Sequence, residues 1–116
     1  MNEIESNYVL LSKELNELNK QMLSENSNIH QHKICNAIIC KDCNKLIVTG
    51  KIQQKAMCSC GKNGIIGGNS GLSKLIGDNC EWVPAFVISN KNERKKNKKV
   101  QEKTMELMNL VNKIEK

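Results

Sequence analysis

Cys40-Lys41-Asp42-Cys43-Asn44 and Cys58-Ser59-Cys60-Gly61, with fourteen residues between Cys43 and Cys58, decide how this 116-residue chain is read. The first is a C-x2-C pair and the second a C-x-C pair closed by glycine. Zinc prefers four soft ligands in a tetrahedron, with metal–sulfur bonds of about 2.3 Å. A tight turn lets two thiolates converge while backbone N–H groups point at the sulfurs. The residue after the second cysteine of such a turn often takes positive φ, which suits Asn44 and Gly61. Two knuckles of this kind, joined by a strand–turn–strand segment, bring Cys40, Cys43, Cys58 and Cys60 to one point. The spacing fits neither common ferredoxin pattern. Four cysteines also leave no open position, so one Zn2+ per chain is expected as a structural ion.

Outward from the cysteines, residues 29–90 read as a zinc-ribbon-like β domain. Lys45-Leu46-Ile47-Val48 and Ile52 to Met57 look like short strands, with Thr49-Gly50-Lys51 as their turn. Leu72, Leu75 and Ile76 suggest one or two helical turns starting at Asn69 or Ser70. Glu81 to Ser89 reads as a final strand, and Pro84 places it at an edge. Gly64-Ile65-Ile66-Gly67-Gly68-Asn69-Ser70-Gly71 lacks the Gly-Lys-Ser/Thr of a phosphate loop and is read as tight turns.

Ile39-Cys40-Lys41-Asp42-Cys43, Cys58-Ser59-Cys60-Gly61 and Ile65-Ile66-Gly67-Gly68 together resemble a family of small uncharacterised domains of phages and low-GC bacteria. That family carries the pattern I-x-C-K-x-C-G, C-S-C-G and V-D-G-G. The resemblance covers roughly residues 38–78. Asn44 stands where the family prefers Gly, and Ile66 where it has Asp. The resemblance implies a small zinc fold in a phage or mobile-element setting, and it supplies no activity.

Both flanks read as amphipathic helices, so the expected fold class is α+β: a small zinc-ribbon-like β domain between N- and C-terminal helices. Across residues 1–28, Ile4, Tyr8, Leu11, Leu15, Leu18 and Met22 repeat at heptad spacing. Across residues 91–116, Val100, Thr104, Leu107, Val111 and Ile114 do the same, with Met108 and Leu110 widening the stripe. Asn90 or Asn92 would cap the second helix. Residues 1–29 hold five acidic and two basic side chains, a net of −3, and residues 91–116 hold four acidic and nine basic, a net of +5. Opposite charge and matched stripes admit pairing within one chain or a homodimer through the helices. The packing residues would be Leu11, Leu15, Leu18, Met22, Leu107, Val111 and Ile114.

Tyr8, Trp82 and Phe86 are the only aromatic residues. A small core so poor in aromatics usually needs a metal, disulfides or a partner. The opening Met1-Asn2-Glu3-Ile4-Glu5 has neither the basic start nor the apolar run of a secretory signal. No stretch is long and apolar enough for a membrane span, so no membrane role is expected. Heavy use of Asn, Lys and Ile fits an AT-rich genome. A cytoplasmic setting, in a bacterium or a phage-infected cell, favours metal-binding thiols over a disulfide framework.

Cys35 and Cys80 lie outside the quartet. With His30 and His32 they form a conceivable second metal site; otherwise they are small buried hydrophobes and the histidines sit in a solvated linker. The ribbon offers only Asp42, Asp78 and Glu81 as carboxylates, and no acid–base pair is marked, so no catalytic residue is assigned and no enzyme is expected. The first functional expectation is a non-enzymatic binding protein that acts on a protein partner. It would regulate or inhibit host transcription or antiviral defence, an anti-CRISPR role included. The alternative is a small DNA- or RNA-binding regulator. Lys91, Arg94, Lys95, Lys96, Lys98, Lys99 and Lys103 would then contact phosphates, or else an acidic partner.

Overall fold

The computed structural model describes residues 1–49, 55–67 and 73–115. The expected turn at Gly50-Lys51, the start of the strand at 52–54, Leu72 and the helix start at Asn69 or Ser70 lie outside them.

The fold is α+β, with one N-terminal helix, antiparallel sheets and two C-terminal helices. Helix α1 (Glu3–Glu25) occupies most of residues 1–28. Asn2 caps it by accepting from the Glu5 N–H at 2.8 Å. The buried line is Tyr8, Ser12, Leu15, Asn19 and Met22, with Leu11 and Leu18 half-buried beside it. Ile4 stays exposed, so the heptad stripe is used from its second position onward.

Strand β1 (Gln31–Cys40) is the spine of the molecule, although the sequence reading had made its first half a linker. It pairs on one side with β2 (Lys45–Thr49), forming an antiparallel hairpin whose turn is Lys41–Asn44. On its other side run β6 (Cys80–Trp82) and β7 (Ala85–Ile88). These two are one antiparallel path along β1, broken at Val83-Pro84 where the register shifts between Lys33 and Cys35. The Val83 N–H still donates to Ala37 O at 2.9 Å. Residues alternate in direction along a strand, so position 84 faces away from β1, and its missing N–H costs no ladder bond. Pro84 therefore sits at an edge, as its chemistry requires.

A second, three-stranded sheet is made of β3 (Lys55–Met57), β4 (Gly64–Ile66) and β5 (Lys74–Ile76). Leu75 and Ile76 thus belong to a strand and not to helical turns. Three residues are too few to show either period, and pairing with β4 decides the matter. Thr49 Oγ1 donates to Gly67 O at 2.6 Å, and Asn36 Nδ2 donates to Ser73 Oγ at 2.6 Å, tying the second sheet to the β1–β2 hairpin.

The expected C-terminal helix is two helices, α2 (Lys91–Lys95) and α3 (Lys98–Glu115). Asn90 caps α2 through the Asn92 and Glu93 N–H groups. The break falls at Lys96-Asn97, where the Asn97 side chain accepts from the Val100 N–H at 3.3 Å. Asn competes well for backbone donors at helix starts, so it restarts the helix instead of continuing it. Helix α3 then packs on α1 within the same chain, and Lys103 forms an ion pair with Glu14. Tyr8, Leu15, Met22, Val100, Leu107 and Val111 join Cys35, Ala37, Val83, Val87 and Ile88 in the main core. Leu11, Leu18 and Ile114 pack at its margin. The residues nominated for a dimer are thus engaged inside one chain. None of the described helices is long and apolar enough to cross a membrane.

Candidate metal centre

Two hairpin turns build the centre. Cys40 ends β1 and Cys43 lies in the turn to β2; Cys58 and Cys60 lie in the turn from β3 to β4. Asn44 has φ 54° and Gly61 has φ 76°, the left-handed geometry that each knuckle needs to reverse the chain. The Gly61 N–H donates to Cys58 O at 2.9 Å, and the Cys58 N–H donates to Asn63 O at 2.9 Å, closing the second turn.

The four sulfurs all lie within 4.8 Å of one another. Cys40 Sγ and Cys60 Sγ are 3.7 Å apart. Tetrahedral bonds of about 2.3 Å place neighbouring sulfurs about 3.8 Å apart, so the observed separation suits a zinc–thiolate tetrahedron. Cys40 and Cys58 are buried, while Cys43 and Cys60 are partly exposed. The quartet is therefore a site able to hold a metal ion, closed on the inside and reached from the rim.

Electrostatics in the quartet favour a cation. Burial pushes the Cys40 thiol up. The Asn63 side-chain amide, the Cys43 backbone and hydrogen bonds with Cys58 and Cys60 outweigh it, bringing Cys40 down to about 6. The Lys62 backbone likewise lowers Cys60, against burial. Cys43 moves the other way, to about 12, chiefly because it is hydrogen-bonded as a thiol to Cys58 and Cys60. Such a cluster holds thiolate charge beside a retained proton, and a metal ion replaces that proton on binding.

Asn63, which the sequence reading did not single out, supports the quartet from behind. It is buried, and its Nδ2 donates to Cys40 Sγ at 3.2 Å and to Asp42 Oδ2 at 2.7 Å. Asp42 also accepts from Asn79 Nδ2 at 3.0 Å, and these two amides hold its carboxyl below the usual range. The Lys41 N–H donates to Asn79 O at 3.0 Å. Gly77, at φ 87°, lets the chain pass over Asn63: a Cβ there would fall 2.2 Å from Asn63 Oδ1.

No protein-family model, curated protein or solved structure matches this chain. The phage-type resemblance thus rests on the cysteine and glycine motifs themselves, and the geometry of the quartet has to carry the functional reading.

The second cysteine set is not gathered. Cys35 lies opposite Ala85 and His32 opposite Val87, whereas Cys80 lies opposite Cys40. Cys35 lies five positions along β1 from Cys40, about 16 Å at the usual rise, which is far beyond the reach of one ion. Cys35 is buried beneath the Tyr8 hydroxyl at 3.4 Å. His32 is exposed, with Nδ1 2.8 Å from Ser89 Oγ, and His30 is exposed at the start of β1. Cys80 is half-buried, and burial together with the Cys40 charge pushes its thiol up.

The basic cluster is divided by the break between α2 and α3. Arg94 is only 7% exposed, and its Nη1 donates to Ile88 O at 2.8 Å, so it anchors α2 to β7. Lys96 pairs with Glu93 at 3.1 Å, and Lys103 pairs with Glu14. Lys91, Lys95, Lys98 and Lys99 remain as exposed cations.

Proposed function

We propose that the chain is a non-enzymatic, zinc-containing binding protein of phage or mobile-element type, which regulates or inhibits host machinery through protein contacts. The observation that carries this reading is the closed quartet, four sulfurs mutually within 4.8 Å. With all four positions taken by thiolates, the ion has no site for substrate or activated water, so its work is structural. Its resemblance to phage-type ribbon motifs supports the setting, and an anti-defence target such as a CRISPR nuclease is the sharpest form of the proposal. The partner-facing surface lies away from the metal. Leu10 is 58% exposed beside a groove between α1 and α3 that has Leu11 and Leu110 in its walls. Native mass spectrometry of the protein after passage through a low-GC host lysate tests the whole reading at once. One zinc per chain and a retained host protein are expected. A chain that retains no protein but binds duplex DNA tightly would replace this reading with the second.

The second reading is a nucleic-acid-binding regulator, favoured by the exposed Lys91, Lys95, Lys98 and Lys99 around the α2–α3 break. Binding through these residues would weaken steeply with salt. A mobility-shift titration at two salt concentrations decides it. Unchanged binding after charge reversal at Lys95, Lys98 and Lys99 would exclude this surface.

A further inference from the structure

Cys80 is the cysteine beside the quartet that the metal centre leaves unused. Strand register puts it directly opposite Cys40 across the β1–β6 pair. The Lys41 N–H donates to Asn79 O and the Val83 N–H to Ala37 O, so positions 37 and 41 turn their hydrogen-bonding groups toward the residues that flank β6. In an antiparallel ladder such pairs alternate with pairs that share no hydrogen bond. Cys40 and Cys80 fall at one of the latter, where opposed Cα atoms are about 4.5 Å apart and side chains on the same face approach most closely. Disulfides span Cα separations of about 4.4–6.8 Å, a range that includes the usual spacing of such a pair. Cys40 Sγ therefore has two mutually exclusive uses: ligand in the quartet, or half of a cross-strand disulfide.

Building on the zinc reading, we propose that Cys40 and Cys80 form an oxidation site whose disulfide withdraws Cys40 from the metal and releases the ion. Cys80 is the entry point because it is half-buried and held by no metal. A hydroperoxide oxidises its thiol to sulfenic acid: the sulfur gains one oxygen, the O–O bond breaks, and water leaves in the case of hydrogen peroxide. The Cys40 sulfur then attacks the Cys80 sulfur, the S–O bond breaks, and hydroxide departs. Cys43, Cys58 and Cys60 remain, an incomplete shell. Reduction by a thiol reverses the bond and restores the fourth ligand.

The test treats the zinc-loaded protein with hydrogen peroxide while a chromogenic chelator reports free zinc. Free thiols are then alkylated and the disulfides mapped on non-reduced peptides. A Cys40–Cys80 linked peptide should appear in step with zinc release. Cys80→Ser, which retains all four ligands, should release zinc several-fold more slowly. Cys80→Ala serves as a second variant if serine perturbs the strand, and the wild-type peptide map needs neither. Equal release from wild type and both variants, or disulfides confined to the quartet, would overturn the proposal. If the purified protein holds no zinc, the metal reading fails by itself, and the Cys40–Cys80 link is still scored by the map.

Discussion

Asn63 shows how a single side chain decides the quality of the metal centre. Its amide nitrogen reaches both Cys40 Sγ and Asp42 Oδ2, and its Oδ1 accepts from the Asn79 N–H at 3.4 Å. Removing the amide strips a donor from a buried sulfur and leaves a carboxylate without one of its partners. Asn63→Ala should cost about 1–3 kcal/mol of stability in the metal-loaded protein, the penalty for stranded buried polar groups. Metal affinity should fall about 10–100-fold, as for other lost outer-shell partners. Urea denaturation and competition with a chelator measure the two. An alanine variant with unchanged affinity would reduce Asn63 to a spacer. Asn44 and Gly61 were legible in advance because a knuckle demands positive φ at a fixed offset from its cysteines. Asn63 was not, because its role depends on the β1–β2 turn, which reaches it only after the second sheet has folded back.

Among the elements, legibility follows periodicity. The N-terminal helix carried a repeating stripe long enough to be read, and its buried line follows that stripe with Ser12 and Asn19 added. Strand β1 carried no such signal, because Cys35 to Cys40 are buried without alternation. A strand covered on both faces loses the period of two that marks half-exposed strands. Charge complementarity between the arms was legible, and its outcome is pairing of α1 with α3 inside the chain. Lys103 is held above the usual lysine range chiefly by its hydrogen bond with Glu14, with burial opposing. A raised cation stabilises the fold fully below its unfolded value, 10.5, and that contribution is lost as pH rises through the higher folded value. Both side chains are partly exposed, so the pair contributes about 1 kcal/mol or less. Lys103→Met should therefore lose less melting temperature than the wild type between neutral and strongly alkaline pH. Equal losses in the two proteins would remove the pair from the account of stability.

At the scale of the whole molecule, stability comes from two sources that meet at the β1–β2 hairpin. The main core lies between α1, α3 and the β1–β7 sheet, and it contains none of the metal-site cysteines. The second sheet has Ile65 as its fully buried side chain and relies on the quartet and a few polar ties for attachment. A cation neutralises the thiolate charge gathered where the two hairpins join, and its removal leaves that charge crowded among partly protonated sulfurs. An aromatic-poor chain has little further apolar area with which to hold β3–β5 in place. A structural ion within the 29–90 β domain would by itself be expected to hold that domain as a unit. Placement of β1 and β7 in the helix-backed core sharpens that expectation. Chelation, or Cys60→Ser, should release β3, β4 and β5 while α1, α3, β1 and β7 stay folded. Hydrogen exchange should then show protection lost at residues 55–67 and 73–76 and kept in both long helices, with most helical circular dichroism intact. Simultaneous loss of protection in α1 and α3 would mean that the metal holds the entire fold, and that the two sources of stability are one.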